Sequence, residues 1–277
     1  MLYRHLLSLP CLLLLSTWLF AEAPTMPDSA IDGWKRLEAT AGGVAGSCRY
    51  TNAINDDTGL GVHWSEDHVT FASDNQQICV AGTRDGKRSV IAVNPKYGFT
   101  LAGPDHDNDY QRKRLVKGKQ REKELARAGE AIFPLLHAGY SICGKSLISL
   151  VEDHEATTIH SLSIDPETKV ATLKFTYNAP VRPADTLVTG GTIRLATDGD
   201  WRILSYDCET RWGTLAGHVQ YQTFRSSVVP SHVTVTVRPG SAMHVGVSTY
   251  ELESIEPLQA GRLKNWLKDY RLEEPTP

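Results

Sequence analysis

The residues with the most obvious chemical potential in this chain form one short run. Gly139-Tyr-Ser-Ile-Cys-Gly144-Lys145-Ser146 matches the phosphate-loop spacing G-x-x-x-x-G-K-[ST]. In such a loop, backbone N–H groups cradle phosphates, the lysine reaches the terminal ones and the hydroxyl holds magnesium. That chemistry requires a buried parallel strand before the loop and a helix after it. A helix after Gly144 fits, but Ile132 to His137 continues a helical pattern where the strand should be. No apolar run ending in aspartate supplies the magnesium partner, because Ile159 to Asp165 alternates like an exposed strand. The run is therefore expected to be a glycine-punctuated break between two helices that binds no nucleotide, with Lys145 exposed.

Other reactive types are arranged less specifically. Asp105, Asp107 and Asp109 place carboxylates at every second residue, like the start of a calcium loop. The glycine and glutamate such a loop needs are missing, and Tyr110 and Lys113 stand nearby, so this reads as a solvated loop. His63 and His68, like His154 and His160, straddle element boundaries without the i, i+4 spacing of a compact metal set. The chain has no Gly-x-Ser-x-Gly elbow. The expectation is no catalytic residue, no metal, no cofactor and no enzymatic activity.

The first residues bear on where the chain works. A basic start, Met1 to His5, precedes an apolar run from Leu6 to Phe20 and then Ala21-Glu-Ala23. This is the pattern of a secretory signal peptide over 1–23, with a cut after Ala23 or, because Pro24 disfavours cleavage there, after Ala21. The run is shorter than the roughly 20 residues that span a bilayer. The expected location is exported, periplasmic or secreted. Cys48, Cys79, Cys143 and Cys208 remain after export; an oxidising compartment permits two disulfides in any of three connectivities, and four buried thiols are the alternative. The formal net charge of −3 provides no field toward nucleic acid.

These residues must be positioned by elements that the periodicity outlines. A helix is expected over 30–39, with Ile31, Trp34 and Leu37 on one side and Gly42-Gly43 ending it. About five strands follow between Val44 and Leu101, where Tyr97, Phe99 and Leu101 should share a buried face. Gln120 to Ala138 and Lys145 to Asp153 read as helices, and about seven strands then run from Ile159 to Leu252. Short links force antiparallel neighbours. The expected fold is therefore mainly β (α+β): one meandering antiparallel sheet over 24–277, in a single domain, with a helical insertion at about 120–153 packed on its inner face.

This layout resembles the LolA/LolB-type lipoprotein carriers, which implies a strongly curved half-barrel whose central helices plug an apolar concave face. Three stretches are also similar to a family of uncharacterised exported bacterial proteins: Asn94-Pro95-Lys-Tyr97-Gly-Phe99-Thr-Leu101, Asp200-Trp201-Arg-Ile203-Leu-Ser-Tyr206, and Tyr270-Arg-Leu272-Glu-Glu274-Pro275, with Arg271 where glycine is expected. By that analogy the function is non-enzymatic binding of a lipid or lipoprotein acyl chain in the envelope. The alternative is a structural or interaction module that binds an envelope protein. The expected apolar site comprises Phe175, Tyr177, Val219 and Tyr221 on strands, with Ile132 and Leu136 above them. The Lys- and Arg-rich segment Arg112 to Arg127 reads as the solvated face of a helix and its leading loop; its sharper reading is peripheral contact with anionic lipid.

Overall fold

A computed structural model describes residues 24–56, 62–74, 77–84, 87–93, 96, 98–104, 111–120, 134–178, 188–240 and 244–259. Helix α1 (Asp28–Ala41) begins directly after Pro27, and Asp28 in its first turn complements the positive end of the helix dipole. Its buried residues Ala30, Gly33, Trp34, Leu37 and Ala41 recur every three or four positions, so one stripe faces the core. Gly43, at φ +92°, turns the chain into the first strand.

The strands up to the middle of the chain are β1 (Val44–Asp56), β2 (Val62–Ser73), β3 (Ile78–Arg84), β4 (Lys87–Val93), β5 (Gly98–Pro104) and β6 (Gln111–Val116). A small hairpin, β7 (Ser141–Ile142) with β8 (Lys145–Ser146), leads into helix α2 (Leu147–Glu152). The remaining strands are β9 (Thr157–Asp165), β10 (Val170–Tyr177), β11 (Val188–Ala196), β12 (Ile203–Thr210), β13 (Gly213–Phe224), β14 (Ser227–Pro239) and β15 (His244–Pro257). All but β7 and β8 join one open antiparallel sheet in the order β6-β5-β4-β3-β2-β1-β15-β14-β13-β12-β11-β10-β9. The chain is mainly β with few helices, as its periodicity indicates.

Three expectations need correction. The sheet is two meanders, not one. They are joined where β1 pairs with β15, from Val44↔Pro257 to Asp56↔His244. Short links identify neighbours in sequence only, and this pairing closes across most of the chain. The first part of the basic segment is an edge strand, not a helix or its leader, because Phe99↔Leu115 and Gly98↔Val116 pair it with β5. Arg112, Lys113 and Arg114 suit such a position, since charge on an edge discourages further pairing. The second helix starts at Leu147, with Ser146 as its cap: Ser149 N donates to Ser146 Oγ at 3.1 Å. The expected signal peptide, Tyr97, the Asp105–Asp109 loop, and 121–133 with Leu125 and Ile132 lie outside the described residues.

Burial differs between the two meanders. In β10 and β13 one face is buried and the other open, as with Ala171, Leu173, Phe175 and Tyr177 against exposed Lys174. One core cluster unites these residues with Ile193, Leu195, Ile203 and Val219, with Trp34 and Leu37 of α1, and with Leu135, Leu136, Leu147 and Leu150. Trp34 Nε1 donates to the Trp201 carbonyl at 2.7 Å, and Ile203 N donates to the Gly139 carbonyl at 2.9 Å, tying α1 and the 139–142 stretch to the start of β12. The same cluster continues onto β1–β4 through Cys48, Val69, Phe71, Ile78, Val80 and Val93. On β3–β5 the opposite face is buried as well, through Cys79, Val90, Phe99 and Leu101, and so are the adjoining Ala45 of β1 and Ala72 of β2. Phe99 and Leu101 thus share a buried face, as their spacing indicates. Cys48, Cys79, Cys143 and Cys208 are thiols, with Cys143 exposed and the other three buried. Burial raises the Cys48 and Cys208 thiols to about 12.

Candidate functional site

Four of the residues expected to line an apolar site are core. Phe175, Tyr177, Val219 and Leu136 are each at most 7% exposed and belong to the same cluster. Tyr221 is half-buried, donates its hydroxyl to the Ile203 carbonyl, and lies beneath the Arg202 guanidinium at 5.2 Å. The structure brings these five together. Beside Leu136, the gap between α1, Tyr140, Val228 and Ile255 measures about 10 Å³, room for about one water molecule at most. The cluster is therefore packed here, not hollow.

The open apolar space lies to one side of it. A cleft of about 450 Å³ is bounded by Pro24 and Met26 ahead of α1, by Ile31 on α1, by Val151 on α2, and by Thr157 and Ile159 on the edge strand β9. Glu152, His154 and Thr158 form its polar lining. Each wall has a local cause. Met26 and Ile31 are half-buried and pack against the core cluster. Val151 sits at the end of α2, a helix pinned at both ends. Thr157 Oγ1 donates to the Leu150 carbonyl at 2.5 Å, and Ala156 N and Thr157 N both donate to Asp153, at 3.3 Å to Oδ1 and 2.8 Å to the carbonyl.

Lys145 contributes to that pinning and is not the exposed lysine expected of it. Its side chain is 15% exposed. Nζ donates to the Tyr177 hydroxyl, lies 3.8 Å from the Tyr177 ring centre and 3.6 Å from Asp153 Oδ2. The Tyr177 hydroxyl in turn donates to Asp153 Oδ2 at 3.2 Å. Gly139 to Ser146 folds as a turn and the β7–β8 hairpin, with Cys143 at φ +50° and Gly144 at φ +78° at its tip. The glycine spacing serves a tight turn, the lysine clamps α2 to β10, and the serine caps α2.

The sequence reading missed Met26, Ile31 and Ile159 as site residues. Ile31 reads as one of three apolar positions on a helix, and nothing in that pattern separates it from its buried partner Trp34. Ile159 sits on an edge strand whose alternation looks ordinary. Its membership in the cleft arises only from where α2 lands. Among the described residues no group of three His, Cys, Asp or Glu side chains is placed to hold a metal. His68 instead joins a charged row on the outer face, 3.3 Å from Glu253 and 3.6 Å from Glu66, beside the Arg49–Glu251 pair. A second, polar groove of about 490 Å³ lies over β11–β14 and includes Asp207, Glu209, Thr214 and Arg238.

No protein-family model and no curated protein matches the chain. Solved structures similar in layout include a DUF1329 family protein from Desulfovibrio piger, at 9% identity and a TM-score of 0.48, covering 90% of this chain and all of that one. A LolA superfamily protein from Nitrosomonas europaea matches at 10% identity and a TM-score of 0.47, covering 89% and 100%. A putative outer membrane lipoprotein-sorting protein domain from Vibrio parahaemolyticus matches at 7% identity and a TM-score of 0.45, covering 87% and 97%. LolA-type proteins, whose layout the sequence resembles, are thus among the matched structures. Any functional argument has to rest on the geometry of this chain.

Proposed function

We propose that this chain is an exported, non-enzymatic binding protein of the envelope and that its ligand is apolar, a lipid or an acyl chain. One observation carries the reading: the 450 Å³ cleft between the residues ahead of α1, α2 and the edge strand β9. Its volume falls in the range of about 300–1,000 Å³ common for small-molecule sites. Its floor is apolar, and its rim carries a few polar groups that could fix an orientation. In this reading the signal peptide over 1–23 is removed, 24–277 form one domain, and the sheet is a curved half-barrel with the central helices on its concave side. Movement of α2 would extend the cleft onto Tyr177 and Phe175, and then toward Val219, Tyr221, Leu136 and Ile132. These six residues are then the deeper part of the ligand path, closed when no ligand is bound.

Titration with a fluorescent long-chain fatty acid tests this. The wild-type chain should bind it saturably, and Val151→Trp, which fills the cleft, should weaken binding at least tenfold. Hydrogen exchange in 147–152 should slow when the probe binds. Failure of the wild-type chain to bind the probe would reject the apolar-ligand reading in favour of an interaction module.

A further inference from the structure

Trp212 stands at the tip of the β12–β13 hairpin and is 65% exposed. The tip is held firmly. Trp212 N donates to Thr210 Oγ1 at 3.2 Å, Thr210 Oγ1 donates to the Gly213 carbonyl at 3.0 Å, and Gly240 N donates to the Trp212 carbonyl at 2.6 Å. Gly213 sits at φ +146°, and a Cβ there would overlap the Arg238 carbonyl, so the turn requires glycine. A rigid turn thus holds a large apolar side chain in solvent, where packing gains little from it.

Single exposed apolar residues need no explanation. Three of the four large apolar side chains exposed among the described residues, however, gather at this end of the sheet. Val237 (43%) and Ile54 (38%) lie in one cross-strand row, Leu215↔Val237↔Gly246↔Ile54. Among the described residues nothing approaches within 4 Å of where a Gly246 side chain would stand. At ordinary strand spacing the row is about 14 Å wide. Arg211 at the tip and Arg238 on β14 are exposed; Glu209, also exposed, is level with Arg238 in the row Glu209↔Thr214↔Arg238, and Asp207 lies further down β12.

We propose that this end of the sheet docks on an anionic lipid bilayer, with Trp212 at headgroup depth and Arg211 and Arg238 on lipid phosphates. Indole combines an apolar body with an N–H donor and suits that boundary. Guanidinium groups match phosphate geometry. Three side chains fall far short of the roughly 1,000 Å² a stable protein interface buries, whereas reversible attachment to a bilayer needs only a few apolar groups and some positive charge. The register also sets Thr157, at the cleft, level with this end through Thr157↔Tyr177, Thr176↔Gly190 and Gly190↔Glu209. Docking would therefore bring the cleft's end of β9 toward the membrane. That consequence rests on the ligand-binding reading, but the docking itself does not.

Co-sedimentation of the chain as exported with vesicles of phosphatidylcholine, with and without phosphatidylglycerol, tests the proposal. The wild-type chain should sediment with the phosphatidylglycerol vesicles and less with pure phosphatidylcholine. Trp212→Ala should lower partition about tenfold, the scale of withdrawing one large aromatic side chain from an apolar phase, with an unchanged unfolding temperature. Arg211→Gln and Arg238→Gln should weaken binding to phosphatidylglycerol vesicles only. Equal sedimentation of wild type and Trp212→Ala, or sedimentation with neither vesicle, would overturn the proposal. So would a concentration-dependent dimer that Trp212→Ala abolishes, which would assign the patch to a second copy of the chain. Trp212→Ala should still bind the fatty-acid probe normally; if vesicle binding holds while probe binding fails in the wild-type chain, only the cleft reading falls.

Discussion

The two meanders of the sheet solve the problem of burial differently. On β9–β15 the buried residues alternate with exposed ones, and the helical elements contribute to the core cluster on one face. On β3–β5 both faces are buried: Ile78 and Val80, with Phe71 of β2, on the cluster side, and Cys79, Val90, Phe99 and Leu101 on the other. A strand buried on both faces has no polar side on which to show alternation, so its sequence reads as a near-continuous apolar run. Ser89-Val-Ile-Ala-Val93 is such a run, while Val170-Ala-Thr-Leu-Lys-Phe-Thr-Tyr177 alternates. The two-faced half should behave as the more rigid one. The one-faced half, with its cleft at the β9 edge, has the freedom to admit a ligand.

The largest effects should come from paired truncations. Phe175→Ala and Phe99→Ala should each cost about 3–5 kcal/mol, although the two rings point to opposite faces of the sheet. Urea unfolding would measure both. A cost for Phe99→Ala near that of a surface substitution would remove the distinction between the halves.

Acid should act on the one-faced half. His137 is held down to about 4 from its usual 6.5 because burial disfavours its charged form. Its ring stacks on Tyr140, and its carbonyl accepts from Tyr140 N and Ser141 N at 3.0 and 2.9 Å. With a folded-state pKa below the unfolded one, the unfolded chain binds more protons as pH falls from 6.5 toward 4. Up to about 3 kcal/mol of stability is lost across that window. His137→Asn should flatten that part of the stability–pH curve, and hydrogen exchange at pH 5 should rise first in 134–152. An acid response confined to β1–β5 would contradict this.

Smaller effects separate the halves at single glycines. Gly217 lies under the Tyr206 ring, which a Cβ would overlap, whereas a Cβ at Gly82 would make ordinary contacts with Val69 Cγ2 at 3.6 Å and the His68 carbonyl oxygen at 3.7 Å. Gly217→Ala should destabilise by about 1–3 kcal/mol through overpacking. Gly82→Ala should cost less, and thermal melts of the two variants give the comparison. The smallest effect should be at Ile164, which is 51% exposed on the free edge: Ile164→Thr should stay within about 0.5 kcal/mol of wild type.

What the sequence made legible follows the same division. Strand after strand could be read from period-two alternation, and α1 from the three-residue spacing of Ile31, Trp34 and Leu37. Pairing between β1 and β15 could not, because no local pattern records which distant strand completes an edge. Nor could β6, where three consecutive cations look like a solvated helix until β5 supplies a partner. Phe175, Tyr177, Val219, Tyr221 and Leu136 were legible as apolar and inward-facing. That they pack into one core was not, because periodicity reports which face is buried and not how much space remains. Lys145 shows the same limit: the motif gave its place in a glycine-flanked run, but only the fold sets it against Tyr177 and Asp153.

The central claim is that the space beside Met26, Ile31, Val151 and Ile159 holds an apolar ligand. Native mass spectrometry of the purified chain tests it most directly, comparing wild type with a cleft-filled Ile31→Trp variant. The account predicts a lipid or fatty-acid adduct on the wild-type chain, after purification or on incubation with a fatty acid, and its loss in the variant. A wild-type chain that remains bare after incubation, or an adduct that persists when the cleft is filled, would contradict it.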